Sequence, residues 1–162
     1  MGKGTNLFDS GAIANRIRRK WCLVMQGTRT RPIILVVEDY ADTRQMLKLL
    51  FEGLNYDVLP AANGREALSV AANNRIDLIL TDFGLPDMTG PTMIRNLRRL
   101  PNHSRSVPVV MLTAFDGNQY RELAKQAGVS AFLVKPPDFE FLKRTVGRLI
   151  EKHRADLTPS LA

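Results

Sequence analysis

The sequence predicts an α/β fold: a parallel sheet of five strands, each followed by a helix, with helices covering both faces. Three observations predict it. From Pro32 onward, short and continuously apolar runs alternate with longer amphipathic ones, the pattern of strands buried on both faces and of the helices that bury them. Glycine, proline or asparagine punctuates the helix boundaries. Four of the five apolar runs end in a charged or hydroxyl residue, as strands do when their carboxyl ends form a working rim.

The elements follow in order. IILVV (33–37) is the first strand, and the first helix starts from Asp42 as N-cap and runs through MLKLLFEG to Gly53 as C-cap. DVLPA (57–61) is the second strand; its Pro60 has no N–H to give, which puts it at a sheet edge. The second helix spans Gly64 to Asn74. LIL (78–80) reads as a central strand, and VVML (109–112) and AFLV (131–134) carry the same expectation of cover on both faces. The third helix begins near Pro91, a first-turn proline, and lines up Met93, Ile94 and Leu97. The fourth, Gly117 to Gly128, is short and polar, while the fifth runs from Pro137 or Asp138 into the 150s with a stripe of Phe139, Leu142, Val146 and Leu149. The crossovers are expected to be right-handed.

Composition narrows the class. A chain of 162 residues, 44% hydrophobic and 24% charged, suits one globular domain with flanking segments. The single cysteine, Cys22, has no internal partner. No apolar run approaches the ~20 residues of a membrane span, and the N-terminus lacks a signal-peptide core. A cytoplasmic location is therefore expected. The net charge of +7 is unevenly placed: seven Lys and Arg stand against one Asp up to Arg31, and sixteen against fifteen Asp and Glu beyond it. This divides the chain into a basic extension (1–31), a globular domain (32–153) and a short tail (154–162).

The rim residues make chemical sense together. The first strand ends in Glu38-Asp39, the third in Asp82, the fourth in Thr113 and the fifth in Lys135-Pro136. Converging carboxylates repel, and a cation relieves them. Mg²⁺ fits best, since it prefers hard oxygen ligands and is often held by one or two carboxylates plus a phosphate; no His/Cys cluster suggests zinc. A phosphoryl group on Asp82 would be neutralised by Lys135, Thr113 and the metal. The turn Phe83-Gly84-Leu85-Pro86 presents Asp82 and lets backbone approach such a group.

These residues, in "ILVVED", "DLILTDFGLPDMTG", "VVMLTA" and "FLVKPP", resemble the receiver domain of two-component response regulators over about Pro32 to His153. The resemblance implies a flavodoxin-like (βα)5 doubly wound sheet of order 2-1-3-4-5. It implies that Asp82 accepts a phosphoryl group from a phosphohistidine of a sensor histidine kinase or histidine phosphotransfer protein. Glu38, Asp39, Asp82 and the Gly84 carbonyl would hold Mg²⁺, Thr113 would be the switch hydroxyl, Lys135 the phosphate-binding lysine, and the Lys135–Pro136 bond cis. Phe132 stands at the switch-aromatic position, and is equally readable as core. The kinase would dock around Thr43 to Leu47. The fourth helix, fifth strand and fifth helix would form the face that meets a downstream protein or a second copy in a homodimer. Gly84 and Phe115 depart from the polar side chains many members carry there, at positions that govern how long the phosphoryl group lasts.

Nine residues after His153 are too few for a DNA-binding output domain, so a single-domain regulator is expected. The competing reading is a receiver-like scaffold or adaptor that never takes phosphate. A phosphatase with an aspartyl nucleophile lacks its second aspartate, because position 84 is glycine, and a flavin or nucleotide binder lacks a glycine-rich cradle. For the leader two readings stand: a disordered basic arm or an over-extended start with Met25 as initiator, or an amphipathic basic helix over AIANRIRRKWCLV. MGKGTN only loosely resembles a myristoylation site, Asn6 replacing Ser or Thr.

Overall fold

The computed structural model describes residues 31–157; the leader readings, Cys22 and the end of the tail lie outside them. Five strands, β1 (Ile33–Val37), β2 (Asp57–Ala61), β3 (Leu78–Thr81), β4 (Val109–Thr113) and β5 (Ala131–Val134), alternate with α1 (Ala41–Gly53), α2 (Gly64–Asn73), α3 (Gly90–Leu97), α4 (Asn118–Gln126) and α5 (Phe139–Leu157). The sheet is entirely parallel, in the order β2-β1-β3-β4-β5. Alternate side chains of each central strand feed opposite cores, as the two-residue period of a strand demands. Leu35, Val37, Ile79, Val109 and Met111 pack with Ala67, Ala71, Met93, Ile94, Leu97 and Ala124 of α2, α3 and α4. Ile34, Val36, Leu78, Leu80, Val110 and Leu112 pack on the other face with Leu47 and Phe51 of α1 and Leu142, Val146 and Ile150 of α5. Each Val, Leu, Ile, Phe or Met among them contributes about 1.5–3 kcal/mol on burial.

Four details depart from the sequence expectations. Asp42 does not cap α1: the N-cap is Tyr40, without a side-chain bond, and Asp42 lies exposed in the first turn, where it meets only the helix dipole. Gly53 is still helical; the left-handed residue that ends the helix is Asn55, at φ 69°, a conformation asparagine tolerates. AFLV is half-buried along its whole length, because β5 is the outer strand beyond β4. The inward stripe of α5 is Leu142, Val146, Ile150 and His153, whereas Phe139 remains 38% exposed. A 3-10 turn over His103–Ser106, unmarked by any apolar period, precedes β4. Pro60 does lie on an edge strand, and α3 does carry its proline in the first turn.

At the amino end of the strands, Asp77 is 1% exposed and is fully engaged. Its carboxylate accepts from Arg154 Nε at 2.8 Å, Arg154 Nη2 at 2.9 Å and the Ile33 N–H at 2.8 Å. This ties the last turns of α5 to the start of β1.

Candidate functional site

The carboxyl ends of β1, β3, β4 and β5 are brought together by the register of the sheet: Val37 pairs with Thr81, Thr81 with Met111, and Thr113 with Val134. The next residues out are therefore Glu38-Asp39, Asp82 and Lys135. Glu38, Asp39 and Asp82 each offer a carboxylate oxygen, and the three lie within 4.8 Å of one another. Glu38 is 2% exposed, Asp82 half-buried and Asp39 exposed. Lys135 Nζ donates to Glu38 Oε2 at 2.6 Å and to Asp82 Oδ2 at 2.8 Å. Burial depresses this ammonium, but the hydrogen bonds and charges of Asp82 and Glu38 outweigh it and raise Lys135 above the usual lysine range. The Lys135–Pro136 peptide is cis.

Hard oxygens in this number, with one side open to solvent at Asp39, suit a divalent cation of the Mg²⁺ kind, and among the described residues no histidine or cysteine joins the cluster. Asp82 Oδ1 accepts from the Phe83 N–H at 2.5 Å, which leaves Oδ2 facing Lys135. Thr113 ends β4 fully buried; its Oγ1 accepts from the Phe115 N–H at 3.3 Å. Phe132 is half-buried against the core of α2, α3 and α4, with the Arg121 guanidinium 4.8 Å above its ring, a cation–π contact. Gly84 sits in the loop beyond Asp82, paired across to Thr89.

That loop is closed and anchored. The Gly90 N–H donates to Phe83 O at 2.7 Å. A Cβ on Gly90 would collide with the Asp82 carbonyl, so only glycine lets α3 start this close behind the acid. At the tip, Asp87 accepts from the Gly64 and Arg65 N–H groups at 2.8 and 2.9 Å, satisfying two of the orphan donors that open α2. Asn63 accepts from Glu66 N–H and satisfies another. Burial works against it, but these bonds keep the Asp87 carboxyl below the usual carboxylate range.

Two residues missed from the sequence support the site. One is Asp87, which reads locally as a turn-former because its partners are 22 and 23 positions away. The other is Arg44, whose Nη1 donates to Glu38 O at 2.6 Å and Asp39 O at 3.1 Å. Its signal was available: a long cationic side chain one turn into the helix that follows an acidic pair.

Phe83, Phe115 and Tyr120 form an aromatic cluster beside the site, with centroids 5.0 to 5.6 Å apart. On the α1 side, Met46, Leu47, Leu50, Pro136, Pro137 and Phe139 line an apolar groove of about 520 Å³ that reaches Lys135. Among the described residues, no helix is long and apolar enough to cross a membrane.

Residues 34–147 match the family model described as "Response regulator receiver domain". The chemotaxis protein CheY of Pseudomonas aeruginosa is 31% identical over 120 residues, covering 74% of this chain and 96% of that protein. The cyclic di-GMP phosphodiesterase response regulator RpfG of Xanthomonas campestris pv. campestris is 37% identical over 105 residues, but the chain spans only 28% of its length. Among solved structures, chemotaxis response regulator CheY4 of Vibrio cholerae superposes with a TM-score of 0.68 at 33% identity, covering 74% of this chain and 99% of that one. The receiver domain of sensor histidine kinase PA1611 from Pseudomonas aeruginosa, solved with magnesium coordinated in its active-site cleft, gives 0.69 at 34% identity, covering 75% and 98%. The chain belongs to the response regulator receiver domain family, signalling proteins of two-component systems that interact with histidine kinases or phosphotransfer proteins and bind Mg²⁺ at an acidic pocket.

Proposed function

We propose that this protein is a phosphorylatable receiver in which Asp82 takes a phosphoryl group from a phosphohistidine. One observation carries the reading: Lys135 bridges Glu38 and Asp82 at 2.6 and 2.8 Å inside a cluster of three carboxylates. An Asp82 carboxylate oxygen attacks phosphorus, an O–P bond forms, the N–P bond breaks, and the departing imidazole keeps the bonding pair and takes a proton from solvent. Lys135 leaves the Asp82 carboxylate and pairs with the anionic phosphoryl oxygens. Glu38, Asp39, Asp82 and the Gly84 carbonyl would hold Mg²⁺, and the bound ion would supply positive charge against the phosphoryl oxygens. The magnesium ion coordinated in the active-site cleft of the related kinase receiver supports that assignment.

The same reading gives the flanking surfaces their work. The groove between α1 and the Pro136-Pro137 segment lies beside the acceptor, and its apolar lining fits the helix that would present the donor histidine. Thr113 and Phe132 are the switch pair: drawing the Thr113 hydroxyl toward the phosphoryl group releases its bond to Phe115 N–H and shifts the face formed by α4, β5 and α5 toward its downstream partner or a second copy. Intact mass after incubation with Mg²⁺ and acetyl phosphate tests the core of the proposal. A gain of about 80 Da, one phosphoryl group, is expected in the wild type and not in Asp82→Asn. No gain in the wild type, under conditions where a known receiver reacts, leaves the non-phosphorylated scaffold.

A further inference from the structure

Deleting a positive charge beside a cation site should tighten the site. At one position here the geometry argues the reverse. Arg44 projects from α1 and spends a single terminal nitrogen on two consecutive carbonyls, those of Glu38 and Asp39, at 2.6 and 3.1 Å. Both carbonyls belong to the turn that carries the two carboxylates, after β1 has ended and before α1 has begun. The Glu38 carboxylate is itself held at its tip by Lys135 Nζ, 2.6 Å from Oε2. Glu38 N–H donates to Ala61 O, and the Tyr40 N–H reaches Glu38 Oε1 only at 3.4 Å. The N-cap of α1 has no side-chain bond of its own. Arg44 therefore supplies the bonds from outside the turn to the Glu38 and Asp39 carbonyls, and with them fixes the backbone that aims the exposed Asp39 carboxylate toward Asp82.

We propose that Arg44 is a positioning residue for the divalent-cation pocket: it touches no carboxylate oxygen, yet it sets the backbone that carries Glu38 and Asp39 and orients the Asp39 carboxylate. The inference rests on the cation site of the proposed function. Outer partners of this kind typically change metal affinity by ~10–100-fold when removed. Coulomb's law alone gives the opposite sign, because an arginine at this distance repels Mg²⁺. The direction of the change therefore separates orientation from charge.

The experiment is a Mg²⁺ titration of the full-length protein, following the backbone amide signals of Phe83 and Gly84 by NMR, for wild type, Arg44→Lys and Arg44→Met. The expected order of Kd is wild type, then Lys, then Met, with Met weaker by about 10-fold. A Met variant that binds as tightly as wild type, or more tightly, overturns the proposal. Should the Met variant fail to fold, Arg44→Lys decides alone: charge is conserved, so electrostatics predicts no change and orientation predicts weaker binding. Mg²⁺-dependent phosphorylation by acetyl phosphate supplies a second readout. Half-saturation should move to higher Mg²⁺ while the plateau rate stays within about twofold; a lost plateau with unchanged half-saturation also overturns it. Wild type that binds no Mg²⁺ sinks the parent functional reading instead, so the two failures are distinguishable.

Discussion

Each end of the sheet holds a basic side chain against buried carboxylate, and the two ends use that pairing differently. At the amino end, one carboxylate meets one guanidinium through two hydrogen bonds and accepts a backbone N–H besides. At the carboxyl end, a single ammonium is shared between Glu38 and Asp82, with Asp39 clustered alongside and exposed. The first arrangement meets both oxygens of a single carboxylate with donors, which makes a clamp. The second leaves carboxylate in excess and an open side, which makes a site that still demands a cation. The same chemistry is structural or functional according to whether its charges balance.

Several measurements can break or sharpen that contrast. The largest effect is expected from Lys135→Met, which should lower the rate of Asp82 phosphorylation by about 100-fold or more, as loss of a charge-stabilising donor does. Discontinuous measurement with acetyl phosphate checks it, and a rate near wild type would deny Lys135 its role. Next comes Asp77→Ala, which removes the acceptors of two Arg154 nitrogens and of the Ile33 N–H and should cost about 3 kcal/mol in urea unfolding, while leaving the phosphorylation rate of the folded protein unchanged. A rate that fell with stability would mean the two ends are coupled. Asp87→Ala removes acceptors from the opening of α2 and should cost about 1 kcal/mol; an unchanged midpoint in urea would show the loop tip to be held by other contacts.

The two ends should also differ in pH dependence. Burial raises the Asp77 carboxyl, yet Arg154 and the Ile33 N–H lower it further, so its folded value lies below the unfolded one. Its contribution to stability is present above about pH 4, the unfolded value, and disappears as pH falls through the lower folded value. Lys135 runs the other way: its folded value is raised, so its contribution is present below about pH 10 and is lost as pH rises through the folded value. Unfolding of Asp77→Asn followed across acid pH should show a shallower acid loss than wild type, and Lys135→Met a shallower alkaline one. Equal slopes in mutant and wild type would assign the pH dependence elsewhere.

Most of the fold was legible because strands buried on both faces leave uninterrupted apolar runs, and the acidic, hydroxyl and lysine residues sit where those runs stop. The resemblance supplied the strand order, and the register then brought Glu38, Asp39, Asp82 and Lys135 together. What was illegible depends on distance along the chain or on position within the sheet. Asp87 finds its donors on a helix that precedes it, which no local pattern announces. AFLV has the composition of a central strand but is half-buried because, among the described residues, no strand pairs beyond it. The α1 cap was misjudged because Asp42 looks like a cap by type alone, whereas the chain turns helical at Ala41.

A β-carbon placed on Gly84 would stand 3.3 Å from the Phe115 ring, so the bare backbone at one position is the seat of the aromatic at the other. Replacements at these two sites are therefore not independent steps. Reducing Phe115 first opens room for a side chain at 84, whereas enlarging 84 first requires the Phe115 ring, packed on Phe83 and Tyr120, to give by a few tenths of an ångström. A lineage or a mutant library sampling one change at a time would cross this pair more easily in one order than in the other.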